Sequence, residues 1–97
     1  MVFPLKKKSV QKSVEQFDSV IPLDVAEHVL WHFGDHNYGQ QPGTFTQRLL
    51  LTVSAADAEN REKLRTAFPD LVSAFQLVQT TPWGLEHLRD LLKQASS

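Results

Sequence analysis

The chain has 97 residues, of which 41% are hydrophobic and 22% charged, and its formal net charge is −1. A chain of this length forms one domain with a modest core, which leaves little room for a large active-site cavity. Because the sequence contains no cysteine, disulfides, thiolate metal sites and cysteine nucleophiles are excluded.

Membrane and secretion signals are missing from the sequence. No apolar run approaches the roughly 20 residues that a membrane-spanning helix needs. The basic residues near the N-terminus are followed by a polar stretch, residues 9–13, where a secretory signal has an apolar segment. The sequence therefore predicts a cytoplasmic protein with no membrane partner.

Charge is unevenly distributed along the chain. Residues 1–12 contain four of the ten Lys and Arg residues and none of the eleven Asp and Glu residues. We interpret residues 1–12 as a basic, flexible N-terminal arm and residues 13–97 as the helical domain. Such an arm can also contact nucleic acid or an acidic partner. Its four lysines are Lys6, Lys7, Lys8 and Lys12.

Two helices are predicted in the first third of the chain from the spacing of apolar residues. The first covers residues 13–20, and Pro22 stops it because proline cannot continue a helix. The second begins with Asp24 as its N-cap and ends at Gly34, because glycine readily adopts the left-handed conformation of a C-terminal stop. The two apolar stripes consist of Val14, Phe17 and Ile21, and of Val25, Val29, Leu30 and Phe33.

A third helix is predicted to follow a loop rich in glycine and proline. Thr44 is its expected N-cap, and Gln47 completes the capping-box pattern. Leu51 lies off the apolar stripe, so we expect this helix to be buried on two faces, either as the central helix or as part of a dimer contact. The stripe itself consists of Phe45, Leu49, Leu50 and Val53.

Three further helices complete the prediction. Asp57 is expected to cap a short, exposed helix that extends to Ala67, and Pro69 opens the next helix at its first position. Thr81 and Pro82 repeat this start signal for the last helix. The sequence therefore predicts an all-α, compact single domain of five to six short crossing helices. The apolar residues of these three helices are Leu64, Ala67 and Phe68; Leu71, Val72, Phe75 and Val78; and Leu85, Leu88 and Leu92.

A pattern of short pieces runs from Tyr38 to Arg89. It consists of Tyr38-Gly39, Pro42-Gly43-Thr44-Phe45, Leu49-Leu50, Ala56-Asp57, Glu59-Asn60, Leu64, Phe68-Pro69, Leu71-Val72, Gly84 and Leu88-Arg89. This pattern resembles a group of small uncharacterised helical proteins of actinobacteria and their bacteriophages. The resemblance implies a compact helical domain and a phage origin. It carries over no catalytic or binding residue, since that group has no established activity.

Three histidines spaced four residues apart, His28, His32 and His36, form a candidate metal site. Side chains four apart share a helix face, so the first two can hold one divalent metal, and His36 or Asp35 can add a third ligand. The pattern lacks the glutamate of the His-Glu-x-x-His zinc motif. We therefore favour the alternative, an exposed polar face opposite the apolar stripe, and expect no cofactor.

The start of the third helix is a candidate for nucleic-acid recognition. Arg48 and its polar neighbours can read base edges, as the recognition helix of a helix-turn-helix does. Arg48 is the only positive charge of this helix, whereas a DNA-binding domain normally carries a concentrated basic face. Weak DNA binding through Arg48 and the lysine arm is therefore the alternative function.

The leading hypothesis is a non-enzymatic protein-interaction module that binds another protein or a second copy of itself. The sequence has no nucleophile elbow and no glycine-rich phosphate loop, so we expect neither enzymatic activity nor a small-molecule substrate. Aromatic and apolar side chains off the helical stripes can anchor an interface, although aromatic side chains also serve to close a small core. The candidate interaction residues are Trp31, Tyr38, Leu51 and Trp83.

Overall fold

The computed structural model describes residues 21–96, which form five α-helices and no strand. This confirms the predicted all-α single domain. The lysine arm and the helix predicted over residues 13–20 lie outside the described residues. None of the five helices is both long and apolar enough to cross a membrane. The helices are α1 (Leu23–His32), α2 (Thr44–Ala55), α3 (Ala58–Ala67), α4 (Pro69–Thr80) and α5 (Gly84–Ser96).

The central helix is α4, which packs against each of the other four helices. Six of its residues are buried, five of them apolar. By contrast, α2 buries only Leu50 and Val53, and its Leu51 side chain is 60% exposed. The alternative in which α2 is the central helix is therefore wrong, whereas the alternative in which Leu51 is part of a dimer contact stays a prediction. The buried residues of α4 are Leu71, Val72, Ser73, Ala74, Phe75 and Leu77.

Phe75 lies at the centre of an aromatic cluster in the core. Its ring centroid is 5.0 Å from that of Phe33 and 5.3 Å from that of His32, both at the end of α1. On another side, the Arg61 guanidinium carbon lies 5.7 Å from the ring centroid, within cation–π range. One side chain of α4 thus joins α1 and α3 to the core.

Three local signals in the sequence are confirmed by the structure. Asp57 caps α3, because its carboxylate accepts a hydrogen bond from the Asn60 amide at 2.8 Å. Pro69 is the first residue of α4. Gly34 has a φ of 96°, the left-handed conformation that was expected at the end of α1. Each of these signals depends only on residues that are close in the sequence.

The predicted caps of α1 and α2 are wrong by one or two residues. Pro22 is the N-cap of α1, and Asp24 lies in its first turn, where its carboxylate accepts from the adjacent Val25 amide. Gly43 is the N-cap of α2, and the helix already includes Thr44. The Gln47 side chain donates to a carbonyl of the preceding loop at 2.8 Å and makes no capping box. Neither helix has a side-chain cap hydrogen bond at its N-cap.

The last helix starts at Gly84, later than predicted. The Thr81 hydroxyl donates to the Leu77 carbonyl at 2.8 Å, so it closes the end of α4 and does not cap α5. The backbone of α5 begins in close contact with α4, because a Cβ on Gly84 would lie 2.6 Å from the Leu77 oxygen and 2.7 Å from the Val78 Cα. Only glycine allows the two backbones to approach this closely, so Gly84 determines where α5 begins against α4.

Candidate interaction surface

A groove of about 410 Å³ lies between α2 and α3. The two helices follow each other along the chain, and both pack on α4 while making few contacts with each other. Three of the six lining residues are apolar, two are neutral and polar, and one is a lysine. We call this feature the α2–α3 groove; its lining residues are Thr52, Ala55, Ala56, Asn60, Lys63 and Leu64.

Phe45, at the start of α2, and Phe68, at the end of α3, pack together at the ends of the two helices that lie away from the α2–α3 connection; neither lines the groove. Their ring centroids are 6.1 Å apart. Phe45 was predicted to lie in the buried stripe, and this prediction is wrong, because its side chain is 67% exposed. Phe45 is in the first turn of α2, where a side chain leans back toward the helix N-terminus, and it therefore reaches Phe68 at the end of α3.

Positive charge borders the α2–α3 groove. Lys63 is one of its lining residues, and Glu59 is its ion-pair partner at 4.0 Å, with both side chains exposed. Exposed pairs of this kind contribute little stability, so the ammonium group can exchange partners. Arg48 precedes Thr52 by one turn on α2, and the Thr52 hydroxyl donates to its carbonyl. No carboxylate is among the six lining residues.

Arg48 is the exception among the basic side chains of residues 21–96. Six Lys or Arg and nine Asp or Glu residues lie in this part of the chain. The other five cations contact carboxylates, a side-chain amide or a helix carbonyl, and no such contact is described for Arg48. The described residues therefore present no concentrated basic face. The four arm lysines lie outside the described residues.

The four candidate interaction residues lie on different elements of the fold. Trp31 is half-buried, and its ring contacts His36 at 5.7 Å between centroids. Tyr38 is exposed in the loop that follows α1. Leu51 is on the exposed side of α2, and Trp83 is exposed just before α5. Of the four, Leu51 is therefore the one on a helix that borders the groove.

Sequence reasoning singled out Arg48 and Leu51 on α2 but no groove residue on α3. A signal was present, because α3 was predicted to be short and exposed with few apolar side chains. In the structure α3 has no fully buried residue, and Leu64 and Phe68 are half-buried. Because α3 buries none of its residues fully, part of its apolar surface stays exposed to solvent and can contact a partner.

The structure does not bring the three histidines together. His32 packs against Phe33 and Phe75, whereas His36 lies beyond the turn at Gly34 and contacts Trp31. Among residues 21–96 there is no group of three or more His, Asp or Glu side chains that could hold a metal ion. The predicted metal site is therefore not supported. The alternative of an exposed polar face is wrong for His32, which is half-buried.

Burial of His32 makes folding sensitive to pH. Burial lowers the pKa of His32 below its ordinary value of 6.5. The unfolded chain then binds more protons than the folded protein, so the free energy of unfolding falls as the pH drops below 6.5 and through the folded-state pKa. We expect His32→Phe to reduce the difference in stability between pH 7.5 and pH 5.5.

Urea denaturation of both proteins at the two pH values measures this effect. His28→Phe is the matched control, since it removes a histidine from the same helix and leaves His32 in place. It should retain the wild-type difference between the two pH values. If the His32 variant keeps the wild-type difference in stability between the two pH values, other titratable groups cause the pH dependence.

No family model, curated protein or solved structure was found to match the chain. The resemblance to actinobacterial and phage proteins therefore stays a prediction. The function has to be inferred from the exposure, contacts and charge of residues 21–96. Within that range, the α2–α3 groove is lined partly by apolar side chains and by Lys63, and the exposed Phe45 ring lies on one of its two helices.

Proposed function

We propose that the protein is a non-enzymatic interaction module that binds an amphipathic helix of a partner protein in the α2–α3 groove. The observation that carries the proposal is the exposed Phe45 ring, which packs on Phe68 and adds aromatic surface on the same two helices that form the groove. A groove between two helices is a common binding site for amphipathic helices, whose apolar side chains recur every three or four residues. Exposed aromatic side chains are frequent anchors of such interfaces.

The charge of the groove indicates what kind of helix binds. Lys63 lies in the lining and Arg48 is one turn from Thr52, while the lining contains no carboxylate. A partner helix with Asp or Glu beside its apolar stripe would complement these charges, which favours association and selects the partner. The proposed ligand is therefore an acidic amphipathic helix, bound weakly and reversibly because the groove is short.

The resemblance noted in the sequence suggests a biological setting. On this proposal the protein is a phage accessory protein, and the acidic helix belongs to a protein of the host cytoplasm. A second copy of the chain is the other candidate partner. Weak DNA binding stays the alternative function, for which the described residues offer only Arg48 as an uncommitted cation.

Selection from a displayed library of helical peptides tests the proposal. We expect the selected peptides to carry apolar residues at helical spacing together with Asp or Glu. Their affinity, measured by fluorescence anisotropy, should fall at least tenfold for Phe45→Ala, since truncating an aromatic anchor typically costs about 2 kcal/mol. Lys63→Glu should also lower the affinity of the acidic peptides, because it places a carboxylate in the groove. Leu23→Ala, which truncates an exposed apolar residue of α1, is the matched control and should bind normally.

Three results would contradict the proposal. The first is a set of peptides that bind Phe45→Ala as tightly as the wild type. The second is dimerisation in sedimentation velocity that Phe45→Ala abolishes, which would assign the groove to a second copy of the chain. The third is binding of duplex DNA that falls steeply with salt and is lost when residues 1–12 are deleted, which would favour the alternative function.

A further inference from the structure

A second pocket, also of about 410 Å³, lies between the α1–α2 loop and α5. It is separate in sequence from the α2–α3 groove and has no role in the proposed function. Phe33 and Leu85 give it an apolar wall, and His36, Asn37 and Tyr38 give it a polar one. Gly34, Asp35 and Arg89 complete the lining, and we call this cavity the Arg89 pocket.

Arg89 is held in place by an unusually well-fixed carboxylate. One oxygen of Asp35 accepts hydrogen bonds from the backbone amides of Asn37 and Tyr38, both at 3.0 Å. The other oxygen accepts the Arg89 Nε hydrogen at 2.5 Å. These hydrogen bonds, the Tyr38 amide foremost, lower the pKa of Asp35, so the carboxylate stays charged near neutral pH. The guanidinium is therefore oriented before any ligand arrives.

The hydrogen bond to Asp35 leaves part of the Arg89 guanidinium available. Within residues 21–96, Nε is the one atom of this group with a described partner, and the side chain is 35% exposed. Both Nη groups, with four of the five N–H donors, can therefore bind a ligand. Their planar fork matches the two oxygens of a carboxylate.

The other lining residues of the Arg89 pocket indicate which chemical group accompanies the carboxylate of the ligand. Phe33 and Leu85 offer apolar surface beside the guanidinium. On the Tyr38 side, the Lys93 ammonium lies 5.6 Å from the ring centroid and pairs with Asp90 at 3.9 Å. Asp35 already offsets the charge of Arg89, which favours a singly charged ligand over a phosphate dianion. We infer that the Arg89 pocket binds a monocarboxylate whose apolar group packs on Phe33 and Leu85.

A matched pair of ligands tests this inference with the wild-type protein. N-acetyl-phenylalanine and its neutral amide have the same apolar body and differ at the carboxylate. In ¹H–¹⁵N NMR titrations at constant ionic strength, the acid should cause saturable shifts of the Asn37 and Tyr38 amides and of Arg89 Nε. We expect a Kd of about 1 mM for the acid and binding at least tenfold weaker for the amide. Equal shifts from both ligands, or shifts elsewhere, would overturn the inference.

Variants and a second pair of ligands sharpen the test. Arg89→Lys keeps a cation for Asp35 but lacks the planar fork, so the acid should bind at least tenfold more weakly. Phe45→Ala, in the first turn of α2, should bind the acid normally; a parallel loss there would overturn the assignment to this pocket. Tighter binding of a peptide ending in a free phenylalanine carboxylate than of 3-phenylpropionate would identify a peptide C-terminus as the source, and the reverse order a small carboxylic acid.

Discussion

Replacing Gly39 by alanine is expected to lower the free energy of unfolding by about 3 kcal/mol or more. A Cβ at this position would lie 2.2 Å from the Asp35 carbonyl oxygen, and 2.5 Å and 2.7 Å from the N and Cα atoms of Trp31. All three are backbone atoms, so no side-chain rotation can relieve the overlap. Gly39 is buried, and its amide donates to the Asp35 carbonyl at 3.1 Å. The substitution would therefore push the loop away from α1.

Gly43→Ala provides the matched control, because it makes the same substitution four residues later. A Cβ on Gly43 meets nothing within 4 Å, and its φ of −69° suits any residue. We expect its stability to stay within about 1 kcal/mol of the wild type. Urea denaturation followed by circular dichroism measures both variants. Equal losses would contradict the close packing of Gly39 against α1.

The sequence predicted those parts of the fold that short stretches of chain determine. The Asp57 cap, the Pro69 start and the Gly34 stop each depend on residues within one turn, and all three are confirmed. The start of α5 was wrong because it depends on how closely Gly84 approaches α4. Such an approach is set by tertiary packing, which the spacing of apolar residues along one helix does not reveal.

The candidate site was less predictable because periodicity assigns a face to a helix but does not say where the neighbouring helix ends. Phe45 has the spacing of a core residue, yet it lies in the first turn of α2 and is exposed. Leu51 and His32 are two further cases in which helical periodicity did not predict the surroundings of a side chain. The off-stripe position of Leu51 was compatible with a central helix or a dimer contact, and Leu51 is exposed on a helix that is not central; His32 was assigned to an exposed polar face and packs on Phe75.

Arg61 explains why the α2–α3 groove itself could not be predicted. One Nη group donates to the Val53 carbonyl near the end of α2 at 2.7 Å, and the other donates to the Gln79 side chain on α4 at 2.6 Å. The same guanidinium lies over the Phe75 ring. A side chain of α3 thus ties α2 and α4 together and helps to set the angle at which the groove opens. In the sequence, it is one charged residue in a polar helix.

Phe75→Ala is expected to lower the free energy of unfolding by about 3–5 kcal/mol. The side chain is 1% exposed and contacts His32, Phe33 and Arg61, so its removal leaves a cavity among groups from two other helices. A loss of this size is a large part of the roughly 5–15 kcal/mol that stabilises a typical domain. Thermal and urea denaturation of the variant measure the loss directly.

Phe45→Ala makes the same chemical change at an exposed position in the first turn of α2, and we expect it to cost less than about 1 kcal/mol because little burial is lost. The two variants should therefore separate stability from binding. Phe75→Ala destabilises the fold, whereas Phe45→Ala leaves it intact and weakens the peptide complex. A loss of stability in Phe45→Ala as large as that in Phe75→Ala would mean that Phe45 belongs to the core. The proposed interaction would then lose the exposed aromatic ring on which it depends.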